Sequence, residues 1–341
     1  MRCRHRYGVG MTRDAIVVGA GVIGLTTAVV LAEAGRHVEV RSRERPAETT
    51  SAVAGGLWWP YRIEPREAVT AWALESFRQL SRLADRPDET GVRLVDGTYA
   101  CTEREERGGW AAGVPGLRPA AGGELPAGYG HGVRARTPLV DMPAYLGYLE
   151  RRFAAAGGTV VHRAVGDLAE AGRAAPLVVN CTGLGARDLV PDPAVHPVQG
   201  QVVVVENPGV SEWLAAENRA TGEILNVFPQ PYGVVLGGTA REHVWDRTPS
   251  PGTARAIISR CARVDPRLAG ARVLAHRVGL RPARSPARLE AGRLPGGARL
   301  VHNYGHGGAG VTVSWGCALA AAWLADGDGS GEGPVSPGRA E

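Results

Sequence analysis

Gly19, Gly21 and Gly24 stand in the segment GAGVIG, directly after the apolar run AIVV. In this setting the first glycine permits a tight turn, the second lets the backbone approach a pyrophosphate, and the third lets the following helix pack on the strand. The amides at the helix N-terminus would then face the phosphates. An acidic residue that binds the adenosine ribose is expected about twenty residues later, and Glu44 stands there. The pattern predicts a dinucleotide site.

The residues beside Glu44 leave the kind of dinucleotide open. Arg43 and Arg45 flank it, and an arginine at this place could instead accommodate a 2′-phosphate. The glycine motif occurs both in proteins that bind FAD and in proteins that bind NAD(P). A glycine-rich turn without a ligand is the remaining interpretation, and the strand before the motif and the helix after it disfavour it.

Further segments place small and polar residues where a ring could bind. Residues 49–61 read TTSAVAGGLWWPY and offer three hydroxyls, followed by Gly55 and Gly56, at which the backbone could approach a flat ring. Residues 178–183 read VVNCTG and end a buried strand in a small polar turn. Residues 302–316 read HNYGHGGAGVTVSWG and place a glycine-rich turn before an apolar helix.

Arg281, in the segment VGLRPARS, is the candidate for holding a substrate. A planar guanidinium can grip a carboxylate through two parallel hydrogen bonds, which fixes both its position and its orientation. Taken alone, an arginine in such a segment is better explained by a surface position or a structural ion pair.

Composition excludes several function classes. All 39 positions that hold lysine or arginine are arginine, which excludes Schiff-base chemistry and a Walker A loop. The five cysteines have no paired spacing and the nine histidines have no metal-binding spacing, so we expect reduced thiols and no metal. The net charge of +5 is spread along the chain among 34 acidic residues, which speaks against a nucleic-acid partner. No uninterrupted apolar run reaches the roughly 18 residues of a membrane span.

The elements that would position these residues follow from hydrophobic periodicity. Residues 15–19, 22–34 and 37–40 predict a strand, a helix and a strand, which is a βαβ unit. Further helices are predicted at 65–84, from Asp141 to Gly157, and at 311–325. Further strands are predicted at 159–162, 177–180, 201–205, 233–237, 271–282 and 299–305, and residues 108–132 are predicted to be loop.

The glycine motif and the later segments together make the chain resemble the D-amino-acid oxidase and D-aspartate oxidase family, from Ala15 to about Leu324. A nicotinamide enzyme would have no reason to carry all of these segments. The resemblance implies an α/β flavoprotein with a Rossmann-like FAD-binding domain and an α+β substrate domain on a mostly antiparallel sheet. The implied FAD-binding domain comprises 13–58, 141–200 and 279–326, and the substrate domain 59–140 and 201–278. Residues 1–12 and 327–341 are expected to be a disordered extension and tail.

The family resemblance also implies which residues bind FAD. Those implied for the pyrophosphate are Gly19, Gly21, Val22, Ile23, Gly24 and Thr182. Those implied for the adenosine are Arg43, Glu44 and Val165. Those implied for the ribityl chain and the flavin ring are Thr49, Thr50, Ser51, Gly56, Leu57, Gly307, Gly308, Gly310, Val311 and Thr312. The turn at 307–312 opens a helix, so its free amides could stabilise an anionic reduced flavin.

The implied reaction is oxidative deamination of a D-amino acid to a 2-oxo acid, ammonia and H2O2, with hydride transfer from Cα to flavin N5. Arg281 would hold the substrate carboxylate, and the Gly308 carbonyl would accept a hydrogen bond from the amine. No side-chain base is needed if the amine binds in its neutral form. The expected partners are a small amino acid with a free carboxylate and O2.

Three positions depart from the family pattern. Asn226 stands where the family has a tyrosine that helps hold the carboxylate, Gly222 where animal members have a lid tyrosine, and Ala240 where other members have a tyrosine or an arginine. The sequence therefore predicts a pocket without phenols, narrowed by Trp59. The departures leave two alternatives: an amino-acid oxidase with an altered pocket, of the glycine or sarcosine type or specific to one pathway, and a flavin-binding protein that has lost catalysis.

The missing lysine favours the D-amino-acid oxidase type over its nearest alternative. Oxidases related to sarcosine oxidase generally place a lysine near the flavin to assist oxygen activation, and this chain has none. We also expect a soluble, cytoplasmic protein without membrane or nucleic-acid partners. A second copy of the chain remains a candidate partner.

Overall fold

A single sheet runs through the protein. A computed structural model describes residues 13–104 and 108–327, and within these residues it contains fourteen strands and nine α-helices. The predicted extension at 1–12 and the predicted tail at 327–341 lie outside the described residues, except for Gly327.

The strands are β1 (Ala15–Val18), β2 (Val38–Ser42), β3 (Val92–Cys101), β4 (Arg118–Pro119), β5 (His131–Val140), β6 (Thr159–His162), β7 (Leu177–Asn180), β8 (His196–Val205), β9 (Trp213–Asn218), β10 (Glu223–Gln230), β11 (Gly233–Gly237), β12 (Arg241–Glu242), β13 (Val273–Arg293) and β14 (Arg299–His306). The helices are α1 (Val22–Glu33), α2 (Thr50–Val53), α3 (Arg66–Leu83), α4 (Pro87–Thr90), α5 (Met142–Ala155), α6 (Leu168–Ala174), α7 (Ala186–Leu189), α8 (Pro251–Val264) and α9 (Gly310–Asp326).

One end of the sheet is parallel. Its order is β14, β7, β1, β2 and β6, and every neighbouring pair in this run is parallel. Successive residues of β1 point to opposite faces. Ala15 and Val17 join the core that contains α1, whereas Ile16 and Val18 join the core that contains α6. Helices therefore cover both faces, as in a dinucleotide-binding fold.

The other part of the sheet is mostly antiparallel. It runs β13, β8, β11, β10, β9, β3, β5 and β4, with β3 and β9 as its parallel pair. Residues on one face, such as Val203 and Leu225, pack against Ile257 of α8, while Val202 and Phe228 on the other face join the main core. The α/β fold with a large, mostly antiparallel second part agrees with the prediction.

The described strands fall into the two predicted sets of segments. All parallel strands of the first part come from 13–58, 141–200 and 279–326, and β3 to β5 and β9 to β12 come from 59–140 and 201–278. The strands β8 and β13 begin in one set and end in the other. The division into two domains therefore stays a prediction, since both parts share one sheet.

The last helix, α9, is long and mainly apolar. Residues Gly307–Asp326 are long and apolar enough to cross a membrane by length and composition, with a mean hydropathy of 1.4, although the sequence suggested no such run. Slightly more than half of this stretch is buried, and α9 packs between α1 and α3. A Cβ on Gly316 would lie 2.3 Å from the Cα of Trp72, so the glycine permits the close approach of α9 to α3. These contacts place α9 in the protein core.

The sequence prediction found the elements near the glycine motifs but missed others. Predicted boundaries for α1, α3, α5, α9, β6, β7 and β11 lie within about two residues of the observed ones. The longer elements that it missed are β3, β5, β9, β10 and α8, and it also missed the shorter elements β4, β12, α2, α4, α6 and α7. The predicted loop at 108–132 contains two short 3-10 turns and β4, and it ends as β5 begins.

Candidate active site

A cavity of about 690 Å³ lies at the junction of the two parts of the sheet. This volume is within the range of about 300–1,000 Å³ that is usual for ligand sites. Among the predicted site residues, those that line the cavity are Gly19, Gly21, Val22, Ile23, Arg43, Glu44, Thr49, Thr50, Ser51, Gly56, Leu57, Val165, Thr182, Asn226, Arg281, Gly307, Gly308, Gly310 and Val311. Gly24 and Thr312 are not among the lining residues.

The glycines of the first motif act as predicted on the backbone. Gly19 has a φ of +112°, and a Cβ there would lie 2.4 Å from the carbonyl oxygen of Cys181. A Cβ on Gly24 would lie 1.9 Å from the carbonyl oxygen of Gly19. Gly24 therefore lets α1 pack on the turn, and its implied contact with the pyrophosphate stays a prediction.

Two helix N-termini open into the same cavity. α1 begins after Gly21 and α9 after the turn at 307–309, and neither helix is capped by the side chain of its N-cap residue or has an acidic residue in its first turn. Of the first amides of α1, that of Val22 is taken by the Ser51 hydroxyl. The free amides and the positive end of each helix dipole therefore remain available to an anion. A pyrophosphate fits the first N-terminus, and an anionic ring fits the second. The residues present thus suit a flavin dinucleotide.

The hydroxyls of the segment 49–51 are already engaged within the protein. Thr50 Oγ1 donates to the carbonyl oxygen of Leu280 at 3.1 Å, which ties the segment to β13. The Ser51 hydroxyl accepts from the amide of Val22 at 3.0 Å, so it sits at the start of α1 and keeps its own proton for a further acceptor. These contacts fix the segment beside the cavity.

Two other predicted hydroxyls stabilise turns. Thr49 Oγ1 donates to the carbonyl oxygen of Pro46 at 2.7 Å. Thr182 Oγ1 donates to Asn180 Oδ1 at 2.7 Å, and the same oxygen accepts from the Thr182 amide at 3.2 Å. Both side chains line the cavity while holding the backbone around it.

Gly55 and Gly56 are required by packing within the protein. A Cβ on Gly55 would lie 2.7 Å from the ring of Phe228. Gly56 has a φ of +82°, and a Cβ there would lie 1.9 Å from the carbonyl oxygen of Val140. Gln230 Nε2 donates to the carbonyl oxygens of Gly55 and Val140, at 2.9 and 3.1 Å. The segment is therefore pinned between β5 and β10.

At the end of the cavity that is predicted to hold the adenosine, the sequence prediction missed one lining residue, Arg247. Arg43, Glu44 and Val165 line the cavity there together with Arg247. Arg247 Nη1 lies 3.5 Å from Glu44 Oε1, and both side chains are partly exposed. Glu44 therefore has a guanidinium from a distant segment beside it.

Arg281 is half-buried and borders the cavity. Its Nη1 donates to the carbonyl oxygen of Thr239 at 2.9 Å. Burial lowers the pKa of the guanidinium, while Tyr61 and Glu242 raise it, and arginine stays charged in proteins. No carboxylate of the described residues forms an ion pair with Arg281, so its remaining donors can meet an anionic ligand.

The pocket contains phenols, although the sequence suggested that it would not. Tyr61 and Tyr99 line the cavity together with Trp59 and Asn226. Trp59 stacks on Tyr99, with ring centroids 5.1 Å apart at an angle of 21°. The prediction failed here because it compared only the family positions, whereas these tyrosines come from other segments.

Thr312 acts on Trp59 and not on the cavity directly. Its hydroxyl accepts from the amide of Trp59 at 3.2 Å and donates to the carbonyl oxygen of Trp59 at 3.0 Å. Thr312 is buried. The Thr312 hydroxyl therefore holds the backbone of Trp59, and the implied contact of Thr312 with the flavin stays a prediction.

A carboxylate that the sequence reasoning missed also lines the cavity. Glu217, on β9, is buried and forms an ion pair with Arg62. Arg62 lies in the left-handed region with a φ of +44°, and its guanidinium stacks over the Tyr61 ring at 5.1 Å. No sequence motif marks Glu217, because only the pairing of β9 with β10 brings it to the cavity.

Two histidines near the turn at 307–309 are neutral. Burial lowers the pKa of His306 to about 4, and His306 lines the cavity. Burial and then Arg288 lower the pKa of His302 to about 4. His302 Nδ1 lies 3.4 Å from Asn180 Nδ2. Neither ring carries charge at neutral pH.

A surface cluster of His196, Glu242 and His243 has ligand atoms within 4.8 Å of one another. His196 Nε2 lies 3.0 Å from Glu242 Oε2, and the two imidazoles stack at 4.5 Å. The sequence spacing did not indicate this cluster.

Comparison with known proteins agrees with this geometry. The family model DAO, FAD dependent oxidoreductase, matches residues 14–324. A D-amino-acid oxidase of Streptomyces coelicolor is 60% identical over 313 residues, covering 92% of this chain and 96% of the relative. A D-amino-acid oxidase of Rubrobacter xylanophilus is 49% identical, covering 91% of this chain and 95% of the relative.

A solved structure of the glycine oxidase from Geobacillus kaustophilus has the same fold. Its TM-score is 0.79 at 20% identity, covering 97% of this chain and 99% of the other. The family match and the two relatives cover nearly all described residues. The chain therefore belongs to the D-amino-acid oxidase family of FAD-dependent oxidoreductases.

Proposed function

We propose that the protein is a D-amino-acid oxidase that uses FAD. It converts a D-amino acid, O2 and water to a 2-oxo acid, ammonia and H2O2. The observation that carries this proposal is Arg281, a cavity-lining guanidinium without a carboxylate partner among the described residues, beside the Gly308 turn. The D-amino-acid oxidases at 60% and 49% identity support the same reaction.

The residues that line the cavity suit FAD along its length. Arg43, Glu44 and Val165 would border the adenosine, the α1 N-terminus would hold the pyrophosphate, and the turn at 307–310 would border the ring. When bound, FAD supplies the two-electron acceptor for the hydride that leaves the Cα atom, and its reduced form is reoxidised by O2.

Arg281 and Gly308 orient the substrate. A Cβ on Gly308 would lie 3.4 Å from Cδ of Arg281 and 3.9 Å from Cδ1 of Tyr61, so the three residues border one space. The guanidinium would hold the α-carboxylate in two parallel hydrogen bonds. The Gly308 carbonyl would accept from the α-amine, which leaves Cα pointing towards the ring.

The remaining wall of the pocket positions the substrate without a strong base. The Asn226 amide can donate a hydrogen bond, and Trp59, Tyr61 and Tyr99 exclude water. His306 is neutral at working pH. The α-amine therefore binds after losing its proton to solvent, and the imino acid that leaves is hydrolysed by water to the 2-oxo acid and ammonia.

Product analysis tests this function. Protein reconstituted with FAD is mixed in air with D-amino acids, their L-enantiomers, glycine and sarcosine. We expect equal amounts of H2O2, ammonia and 2-oxo acid from D-amino acids and little from the others. Turnover of glycine or sarcosine above every D-amino acid would favour the alternative oxidase type.

The cytoplasmic location, the absence of nucleic-acid and membrane partners, and assembly with a second copy stay predictions. The proposed reaction does not depend on them.

A further inference from the structure

Glu217, on β9, lies on the face of the antiparallel part of the sheet that borders the cavity. It pairs across the strands with Ile224, while Ala215 pairs with Asn226. Cross-strand partners and residues two apart share one face of a sheet. All four residues line the cavity, so the Glu217 carboxylate belongs to the same wall as Asn226.

The charges along the cavity are unevenly placed. Among the described residues that line it, the acidic ones are Glu44 and Glu217. Glu44 lies beside Arg247 at the adenosine end. Glu217 is therefore the carboxylate that a substrate side chain would meet.

The partner of Glu217 is turned towards solvent. Arg62 does not line the cavity, and its side chain is 54% exposed, whereas that of Glu217 is 8% exposed. The ion pair is thus asymmetric: the guanidinium faces the outside and the carboxylate borders the pocket. A ligand in the cavity meets the negative member of the pair.

Glu217 also lies away from Arg281, which would hold the substrate carboxylate. The Arg281 guanidinium lies over Gly200 on β8, and β11 and β10 separate β8 from β9. Three strand spacings of about 4.8 Å therefore lie between these backbone rows. This separation leaves room for an extended substrate side chain between Arg281 and Glu217.

Resting on the proposed oxidase function, we propose that Glu217 selects D-amino acids with a cationic side chain, such as D-lysine and D-arginine. An ammonium or guanidinium would donate a charge-assisted hydrogen bond to the Glu217 carboxylate. The side chain of D-aspartate or D-glutamate would bring a like charge against it, which disfavours binding. Glu217 would thus be a residue that determines substrate specificity.

A matched pair of substrates tests the proposal. D-Lysine and D-norleucine have the same carbon chain and differ by the terminal ammonium. We expect the wild-type protein to have the higher kcat/KM for D-lysine. In Glu217→Gln the ratio of the two values should fall about tenfold or more, since the amide oxygen that replaces the carboxylate carries no charge to attract the ammonium. The value for D-norleucine should change less than about twofold.

Glu212→Gln is the control variant, because it also removes one negative charge but at a site outside the cavity. Glu212 forms a surface ion pair with Arg134 and does not line the cavity. Its substitution should leave the ratio unchanged. A ratio that falls equally in both variants would attribute the preference to net charge and overturn the proposal.

Calorimetry supplies a readout without turnover. 6-Aminohexanoate and hexanoate both carry a carboxylate and lack an α-amine, so neither can be oxidised at Cα. The holoenzyme should bind 6-aminohexanoate more tightly, and Glu217→Gln should remove that advantage. Equal affinity of the wild-type protein for both compounds would contradict the proposal.

The remaining outcomes separate this inference from the function. If D-aspartate is the best substrate and Arg62→Gln abolishes its oxidation, Arg62 and not Glu217 sets the selectivity, and the proposal is overturned. If no D-amino acid is oxidised, the proposed oxidase function fails, and the calorimetric comparison still decides whether Glu217 recognises a cation.

Discussion

The guanidinium of Arg281 on β13 lies directly over Gly200 on the neighbouring strand β8. A Cβ on Gly200 would lie 2.4 Å from Nη2 and 2.6 Å from Cζ of Arg281. Gly200 pairs with Gly279, two residues before Arg281. The missing side chain at Gly200 is therefore what lets the guanidinium lie flat on the sheet, with Nη1 bonded to the Thr239 carbonyl.

Gly200→Ala should displace the guanidinium without unfolding the protein. The contact is with the end of a flexible side chain, so Arg281 can move, but it then loses its alignment with the substrate carboxylate. We expect KM to rise about tenfold or more for every D-amino acid, with bound flavin unchanged. Steady-state kinetics measure this, with Gly292→Ala on β13 as control, since a Cβ there contacts nothing within 4 Å. Wild-type kinetics in Gly200→Ala would show that the guanidinium position is not critical.

Arg281→Lys should impair the substrate clamp although it keeps the positive charge. A lysine ammonium cannot reproduce the two parallel hydrogen bonds of the planar guanidinium. We expect kcat/KM to fall about a hundredfold, mainly through KM, with FAD content unaffected. Arg241→Lys is the control, because Arg241 is exposed and donates to Thr253 Oγ1 at 3.2 Å. Equal activity of Arg281→Lys and the wild-type protein would remove Arg281 from the clamp.

Gly56→Ala should destabilise the fold itself. Its φ of +82° disfavours an L side chain, and the added Cβ would meet the backbone oxygen of Val140. Because backbone cannot move away as a side chain can, we expect Tm to fall by roughly 5 °C or more. Gly166→Ala, where an added Cβ contacts nothing within 4 Å, should have a Tm close to that of the wild-type protein. A Tm loss of the same size in both variants would reject this explanation.

The buried histidines should make the protein sensitive to acid. Burial lowers the pKa of His306 and of His302 to about 4, below the value of about 6.5 of an unfolded chain. The unfolded state therefore binds protons first, so the stabilisation is complete above pH 6.5 and is lost as pH falls towards 4. At about 1.4 kcal/mol per unit, each group accounts for about 3 kcal/mol.

Thermal unfolding between pH 7 and pH 4.5 measures this effect. His306→Gln should lose less Tm over this interval than the wild-type protein, because one group no longer takes up a proton on unfolding. His131→Gln, at an exposed position, should behave like the wild-type protein. If the pH dependence of Tm is the same in all three, His306 does not contribute to it.

The parts of the site that the sequence revealed are those built from contiguous residues. GAGVIG and GHGGAGVT each form a turn followed by a helix, so local glycine spacing was enough to predict the two N-termini at the cavity. Arg281 was predicted because the family resemblance supported it. Gly24 and Thr312 do not line the cavity, because backbone packing and Trp59 engage them, and their implied contacts with FAD stay predictions.

The parts that the sequence did not reveal depend on strand register. Tyr99 faces the cavity because β3 pairs with β9 opposite Ala215, and Glu217 faces it because β9 pairs with β10. The sequence prediction included none of these three strands, so it could not align their side chains. The helix α8 was missed although Ser250 caps it and Pro251 opens it, because its apolar stripe is short.

The most direct test of the central claim is anaerobic reduction of the bound flavin. The FAD-loaded protein is mixed with one D-amino acid or its L-enantiomer without O2, and the yellow absorbance is followed. We predict complete bleaching by the D-amino acid, recovery of colour with formation of H2O2 when air is admitted, and no bleaching by the L-enantiomer. A flavin that stays oxidised with every D-amino acid, or that L-amino acids reduce equally well, would contradict the account.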